Sequence, residues 1–468
     1  MTTAPDVRGP FADGVPTGAL AVHAPALERF GPLEVVRSAW IGLVIGASVA
    51  MGALGRVVRP RGRSVGTCAA EGMVRGFVRL GPTFVKLGQV IASSPGLFPP
   101  WLADACLVCL DEVPHFDVAA VRRVIAEDLG HPVSQIFRDF DDAALSAASI
   151  AQVHACTLRD GRAAVVKVQR PDIARRMNTD LRIQYVIARL LHHSDVGRRL
   201  NLKDVIADLH QQANEELNFA LEASRQSRFR TNVSAFGDNP MMTAPDVYFD
   251  YCGPRVICME RLFGIPMDDF DEIKRRGIDG ELVLRRGAKA WLEAVLVHGP
   301  FHGDLHAGNV WVLDDGRTAF LDFGIMGELE PDWRDLAATL LRTFMLEPDY
   351  PRVIARARAI GLIPPGVPGT DAELGAQLQF VLEPLAHQAA GTVDLGELVQ
   401  AALSLLTQFG TVAPRQLLLV AKQFLYLERY VKALAPDYVM VTDVLMLKNV
   451  FPAEAEARAR QLGVELVA

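Results

Sequence analysis

The sequence predicts an α+β fold of two lobes, a small lobe that mixes strands with helices and a large lobe that is almost wholly helical. Three observations predict it. Short β-prone runs cluster together, "QIFRDFDD", "IAQVHACTL" and "AAVVKVQRP", and the last two are joined by the hairpin signal Asp160-Gly161. Apolar residues at helical spacing fill the region from Gly66 to Asp128 before these runs and nearly everything after "AFLDFG". Half of the 468 residues are hydrophobic, enough to bury large cores and to make two or three domains.

Taken in order, residues 1–37 are rich in Pro, Gly and Ala at their start and lack periodicity, which predicts a flexible leader. Residues 38–63 predict a hydrophobic helix. Its first 18 residues, "SAWIGLVIGASVAMGALG", carry no charge, and Arg56, Arg59, Arg61 and Arg63 follow. Such a run is marginal for a membrane span, which takes about 20 apolar residues, so a buried, an interfacial and an anchoring helix all stay open. Were it inserted, the arginines would keep the following chain on the cytoplasmic side. A helical extension is expected over 64–135 and the strand-bearing lobe over 136–262, the latter with helices from Asp172 to Thr231 and a further strand in "RVICMERL". The helical lobe takes 263–468, and no repeat of fixed period is evident.

Composition narrows the partners. A net charge of -7 and a pI near 5.9 give no basic field, so nucleic acid is not expected. Six cysteines spread over so long a chain, with no cleavable secretory signal at Met1, point to a reducing, cytoplasmic setting. Cys106 and Cys109 form one CxxC; no second pair answers it, and the helical apolar spacing around them predicts core thiols.

The stretch "HGDLHAGNVWVLDDGRTAFLDFG" carries the chemistry. Phosphoryl transfer requires a carboxylate beside the acceptor, then an amide and a second carboxylate to hold the metal that bridges the phosphates. Asp304 and Asn309 have the interval of the kinase catalytic loop, and Asp322 of "LDFG" follows after a run that reads as strand, turn at Asp315-Gly316 and strand. On this reading Asp304 positions or deprotonates an acceptor, water included, while Asn309 and Asp322 hold Mg²⁺. Lys167, ending an alternating β pattern, would contact the α and β phosphates of ATP, and Glu222 in "EELNFALEASRQSRF" would orient it. Met259, Glu260 and Arg261 would connect the lobes where adenine binds. A glycine-rich phosphate loop is missing. In its place Ser146, Ala147, Ala148 and Ser149 could offer backbone N–H groups, with the alanine Cβ atoms restricting positive φ. A zinc site built on His302 and His306 is disfavoured, because Gly303 and Gly308 break helical geometry and no third ligand is evident.

In this order, "FVKLGQ", "SAASIAQVH", "VVKVQRP", "EELNFALEA", "HGDLHAGN" and "LDFG" resemble the UbiB/AarF atypical kinase family. The resemblance implies a protein-kinase-like two-lobed α+β fold whose N-terminal helical extension packs over the active site. It also implies Mg-ATP-dependent phosphoryl transfer or ATP hydrolysis in support of isoprenoid quinone or other lipid metabolism. ATP or ADP and a lipid or quinone precursor would be the partners, at the cytoplasmic face of a membrane that residues 38–55 could hold. By the same resemblance Lys86 and Gln89 belong to a K-x-G-Q element folded into the cleft, and Glu216 is the acid that pairs with Lys86. Glu216 and Glu222 are six apart, about 120° on a single helix, so they can serve two lysines. The sequence departs from the family pattern where E-x-D reads Glu216-Leu217-Asn218, where Ala144 replaces the usual proline, and in lacking C-terminal membrane spans. A second reading is a nucleotide-binding pseudokinase that acts as a scaffold or lipid chaperone; the retention of Lys167, Asp304, Asn309 and Asp322 favours activity.

Overall fold

The computed structural model describes residues 8–58, 65–92, 99–110, 115–193, 202–386, 415–439 and 443–466. Arg59, Arg61 and Arg63 lie outside the described residues. The chain forms two compact units, residues 1–223 with 247–261, and residues 224–246 with 262–468.

The first unit opens with helices α1 (Pro32–Val58), α2 (Val65–Leu80), α3 (Pro82–Ala92) and α4 (Pro100–Cys106). Glycines set how closely α1 meets α2: a Cβ on Gly52 would lie 2.4 Å from the Cys68 carbonyl oxygen, and one on Gly72 would lie 2.5 Å from that of Ser48. One side of α1 is therefore packed, while Leu33, Val36, Trp40, Leu43 and Leu54 stay exposed. The span Pro32–Leu54 is long and apolar enough to cross a membrane by length and composition, with a mean hydropathy of 1.6. Cys106 and Cys109 sit in the apolar cluster with Phe77, Phe84 and Ile91. Burial pushes the Cys106 thiol up to about 11, the setting of a packed, unreactive side chain.

Helix α5 (Val118–Leu129) is capped by Asp117, which accepts from the Ala119 amide, and ends at Gly130 in the left-handed region with φ 73°. The short α6 (Val133–Ile136) follows, so the first part of "QIFRDFDD" is helical and strand β1 begins only at Asp139. An antiparallel sheet runs in the order β1 (Asp139–Ala147), β2 (Ala151–Thr157), β3 (Ala163–Gln169), β5 (Val256–Glu260); the two-residue β4 (Met242–Thr243) belongs to the second unit. Helices α7 (Ile173–Leu191), α8 (Leu202–Glu216) and the start of α9 (Phe219–Val233) complete the unit. Its core joins Val121, Ile125, Val166, Val168, Leu181 and Phe219.

The segment expected to be a flexible leader is docked from Gly9 onward. The Gly9 amide donates to the Asp250 carbonyl at 2.7 Å, Phe11 is buried in the sheet core, and Val15, Ala19 and Leu27 pack against the same cluster. The contacts are spaced irregularly along the chain, which is why no period betrays them.

In the second unit β4, β9 (Thr318–Phe320), β8 (Val310–Leu313) and β6 (Gly264–Pro266) form one sheet in that order, and β7 (Pro300–His302) pairs with β10 (Met326–Glu328). Gly316, at φ 85°, turns β8 into β9. Around them lie α10 (Phe270–Arg275), α11 (Gly280–Glu293), α12 (Pro331–Met345), α13 (Tyr350–Ala359), α14 (Asp371–Ala386), α15 (Arg415–Leu434) and α16 (Pro452–Leu462). Residues 224–246 pack here and not with the small lobe, since Phe229 of α9 meets the rings of Phe320 and Phe323. Lys289, fully buried, is neutralised by Asp238 at 3.0 Å and Glu293 at 2.6 Å.

Two rings buried in the first unit make stability depend on pH. Burial pushes the imidazoles of His154 and His210 below their ordinary pKa, and for His210 the charge of Arg182 acts in the same direction. Both rings are held neutral in the fold, whereas the unfolded chain protonates them as pH falls through about 6.5. The unfolded state then binds more protons, so stability drops with pH below that value. The melting temperature is expected to fall between pH 7.5 and 5.5, and a His154→Gln/His210→Gln variant is expected to give a flatter profile in a thermal scan.

Candidate active site

In the first unit, strand alternation puts the flanking Val166 and Val168 into the core and turns Lys167 to the opposite face. Its Nζ lies 2.5 Å from Glu222 Oε1 and 5.6 Å from the centre of the Phe219 ring. Both partners are buried, at 5% and 2% exposure. Lys86 of α3 donates to Glu216, the last residue of α8, and this pair is buried as well. The two glutamates do not share a helix. Asn218 interrupts it: its side-chain oxygen accepts from the Leu221 amide at 3.0 Å and caps α9, so Glu216 ends one helix and Glu222 lies in the first turn of the next.

Asn218 also explains itself as a departure from E-x-D. Its amide donates to the carbonyls of Ala19 at 3.0 Å and Ala21 at 3.2 Å, which a carboxylate could not do. Gln89 donates to the Cys109 carbonyl at 2.9 Å. In the alanine-rich turn Ser146 and Ala147 pair with Val153 and Gln152 as part of β1. The Ala148 amide bonds the Ala151 carbonyl at 2.8 Å, and the Ala148 carbonyl takes the Arg170 guanidinium at 3.1 Å. Ala148 therefore offers no idle N–H. Glu260 closes β5 opposite Ala164, directly before the chain leaves this unit.

In the second unit the loop after β7 is organised by His302. Its Nδ1 accepts from the Asp304 amide at 3.1 Å, so its Nε2 carries the proton and donates to the Leu321 carbonyl at 2.9 Å. Burial, which lowers the pKa of this ring, agrees with a neutral imidazole. Both ring nitrogens serve the backbone, which removes His302 as a zinc ligand. Asn309 donates from Nδ2 to the Asp304 carbonyl at 3.0 Å, and its own carbonyl accepts from the Leu321 amide at 2.8 Å. Asp322 stands at φ 54°, a left-handed conformation that costs a non-glycine residue about 1 kcal/mol or more. Its carboxylate accepts from the Gly324 amide at 3.2 Å. Thus one backbone network ties Asp304, Asn309 and Asp322 together.

No motif marks the residues that grip this loop from α15. Lys422 Nζ lies 2.7 Å from Asp304 Oδ1, and the Tyr426 hydroxyl reaches the same oxygen at 3.4 Å. Burial works against the Lys422 ammonium, but Asp304 and Tyr426 outweigh it and hold its pKa above the ordinary value. Gln423 accepts from the Leu305 amide at 2.8 Å and donates to the Gly303 carbonyl at 2.7 Å, while the Tyr430 hydroxyl donates to the Leu305 carbonyl at 2.9 Å. Lys422, Tyr426 and Tyr430 stand at i, i+4 and i+8, a polar stripe along an apolar helix and the one signal that could have found them.

Residues 108–357 match the family described as the ABC1 atypical kinase-like domain, more than half of the chain, and residues 378–439 match the UbiB helical domain. The chain belongs to the ABC1 atypical kinase-like family. An uncharacterized protein of Mycobacterium tuberculosis is 37% identical over 370 residues, covering 78% of this chain and 75% of that protein. A protein of Erwinia tasmaniensis named as a probable protein kinase UbiB is 33% identical, over 77% of this chain and 66% of its own. An uncharacterized aarF domain-containing protein kinase of Arabidopsis thaliana, named as chloroplastic, is 31% identical, over 78% of this chain and 72% of its own. Among solved structures, a Mycobacterium tuberculosis protein in complex with erythromycin aligns with a TM-score of 0.50 at 23% identity, covering 80% of this chain and 93% of that one. The α+β fold is kinase-like, as the resemblance in the sequence implied.

The pair in the first unit has a measurable consequence. Lys167→Met removes the ammonium that the buried Glu222 faces, and loss of one partner of a buried pair costs about 3 kcal/mol or more. Denaturant unfolding should register that loss. Adding Glu222→Gln should recover part of it, so that the two changes couple in a double-mutant cycle.

Proposed function

We propose that this member of the ABC1 family is a UbiB-type atypical kinase or ATPase that uses ATP with Mg²⁺. The observation that carries the reading is the backbone network around neutral His302, which holds Asp304, Asn309 and Asp322 in one arrangement. Kinase-like folds in general bind nucleotide. Asn309 and Asp322 are hard oxygen donors of the kind Mg²⁺ takes together with substrate phosphates. Since the Asn309 Nδ2 is committed to the Asp304 carbonyl, its amide oxygen is the atom left for a cation. Mg²⁺, when bound, supplies positive charge against the phosphate oxygens.

Lys167, oriented by Glu222, meets the α and β phosphates as a preorganised ammonium that needs no rearrangement at the moment of reaction. The nucleotide leans on this lysine more than on the alanine-rich turn, because the Ala148 amide is already bonded. On the sequence pattern, Ser146, Ala147 and Ser149 serve the phosphates and Glu260 the adenine. Asp304 orients the acceptor and takes its proton; with Lys422 on Oδ1, the acceptor hydroxyl or water uses Oδ2. By the resemblance of the K-x-G-Q element, Lys86 and Gln89, with Glu216 neutralising Lys86, select among acceptors. The acceptor class is water or a hydroxyl of a lipid or quinone precursor. The exposed apolar side of α1, with Trp40 and Leu43, holds the protein at the cytoplasmic face of a membrane where such molecules dissolve.

A second reading, a nucleotide-binding scaffold or lipid chaperone, is favoured by one observation: Lys422 already occupies the carboxylate that would act on the acceptor. Steady ATP turnover separates the two.

For the full-length protein with MgATP, phosphate release should be continuous and abolished by Asp304→Asn, while the melting shift caused by MgATP persists in that variant. Asp322→Asn should instead lose the Mg²⁺-dependent part of the shift and melt normally without nucleotide. A nucleotide shift without turnover in the wild type would make the scaffold the correct reading. An unchanged MgATP shift in Asp322→Asn would remove this carboxylate from the site.

A further inference from the structure

Walled by α11, α15 and the β8–β9 hairpin, the second unit contains a pocket of about 120 Å³ that the proposed phosphoryl chemistry does not use. Rings form much of its wall: Trp291, Phe320, Phe424, Tyr426 and Tyr430. Gly287 borders it from the middle of α11, and a Cβ placed there would meet no heavy atom within 4 Å. Glycine inside a helix weakens the helix. Here no close backbone approach requires it, and its effect is to leave the space open.

Four of the polar side chains around the pocket are engaged elsewhere, and Thr318 adds one hydroxyl to the wall. Trp291 Nε1 donates to the His302 carbonyl at 3.1 Å, and the Tyr430 hydroxyl donates to the Leu305 carbonyl at 2.9 Å. Gln423 is bonded to Gly303 and Leu305, and the Tyr426 hydroxyl is turned to Asp304. A space with so little polar lining favours an apolar occupant, because a hydroxyl carried into it would find at most the Thr318 hydroxyl as a partner. The size is that of one ring: an engineered apolar cavity of about 150 Å³ stays dry and binds benzene. Three of these side chains, Trp291, Gln423 and Tyr430, hold the backbone from His302 to Leu305, and Tyr426 touches the Asp304 carboxylate, so whatever fills the pocket also bears on the loop that carries Asp304.

We propose that this pocket is a binding site for a single aromatic hydrocarbon ring and that its occupation stiffens the loop from His302 to Asn309. Preformed walls and the bonds from Trp291, Gln423 and Tyr430 to that loop make the link a matter of packing, with no domain movement required.

The test uses the full-length protein with toluene as the probe and phenol as its hydroxylated control. Toluene near its solubility limit is expected to raise the melting temperature by about 2 °C. It is also expected to slow deuterium uptake in the peptide covering residues 302–309, with phenol at equal concentration doing less. Gly287→Leu fills the space and should melt at or above wild type while losing the toluene response; Ala288→Met, at the adjacent wall position, serves if the first variant does not fold. No shift with toluene in the wild type, or an equal shift in a filled variant that melts normally, would overturn the site. A shift from phenol larger than that from toluene would overturn its apolar character. Binding of toluene with unchanged uptake at 302–309 would overturn the link to the loop.

Discussion

An ammonium group taken out of water needs a carboxylate against it, and this requirement organises both units of the protein. An isolated buried charge costs several kcal/mol or more, and a close partner with further hydrogen bonds is what makes burial tolerable. Lys86 meets Glu216 and Lys167 meets Glu222 in the first unit; Lys289 meets Asp238 and Glu293 in the second. The pairs of Lys86 with Glu216, Lys167 with Glu222 and Lys289 with Asp238 each join separate parts of the chain, while Lys289 and Glu293 share α11. The half-buried pair of Lys422 and Asp304 follows the same logic, but there the carboxylate belongs to the loop with the kinase spacing. A contact that neutralises charge in the fold is thus also a contact on the candidate site.

The break at Asn218 shows how one amide can serve two levels of structure. As a cap it satisfies an orphan N–H group of α9 and starts a new helix direction, which lets Glu216 and Glu222 face two different lysines. As a donor it fastens Ala19 and Ala21, so that the N-terminal segment lies against the unit that carries both pairs. Aspartate could supply the cap but not the two donated bonds. The replacement of a carboxylate by an amide, which from the family pattern alone reads as a loss, is here coupled to the docking of residues that the pattern does not cover.

The loop carrying Asp304 is held from two directions. From within, His302 uses both ring nitrogens on backbone groups, and the left-handed Asp322 turns the chain directly after β9. From outside, α15 supplies Gln423 and Tyr430 to backbone atoms and Lys422 to the carboxylate itself. Fixing a loop by many weak, well-placed bonds is how a site is preorganised for electrostatic work. It also makes the helical region that matches the UbiB helical domain part of the support of the loop that carries Asp304.

Sequence by itself determined the features that depend on short stretches of chain. The interval from Asp304 to Asn309, the hairpin at Asp315-Gly316 before Asp322, and the alternation that sets Lys167 between two buried valines are consequences of backbone geometry over a few residues, and they were legible as such. So were the two-lobed α+β class and the helical character of the chain beyond "AFLDFG". Only the tertiary structure decided which distant groups meet. Lys422 reaches Asp304 across 118 positions, and Asn218 reaches Ala19 across 199. The leader docks through Phe11, residues 224–246 pack with the helical unit, and an open space remains beside Gly287. The physical reason is that spacing along a chain is set by local dihedral angles, whereas these contacts arise from the direction in which whole helices pack, and a helix such as α15 presents the same polar stripe whether it faces water or the Asp304 carboxylate.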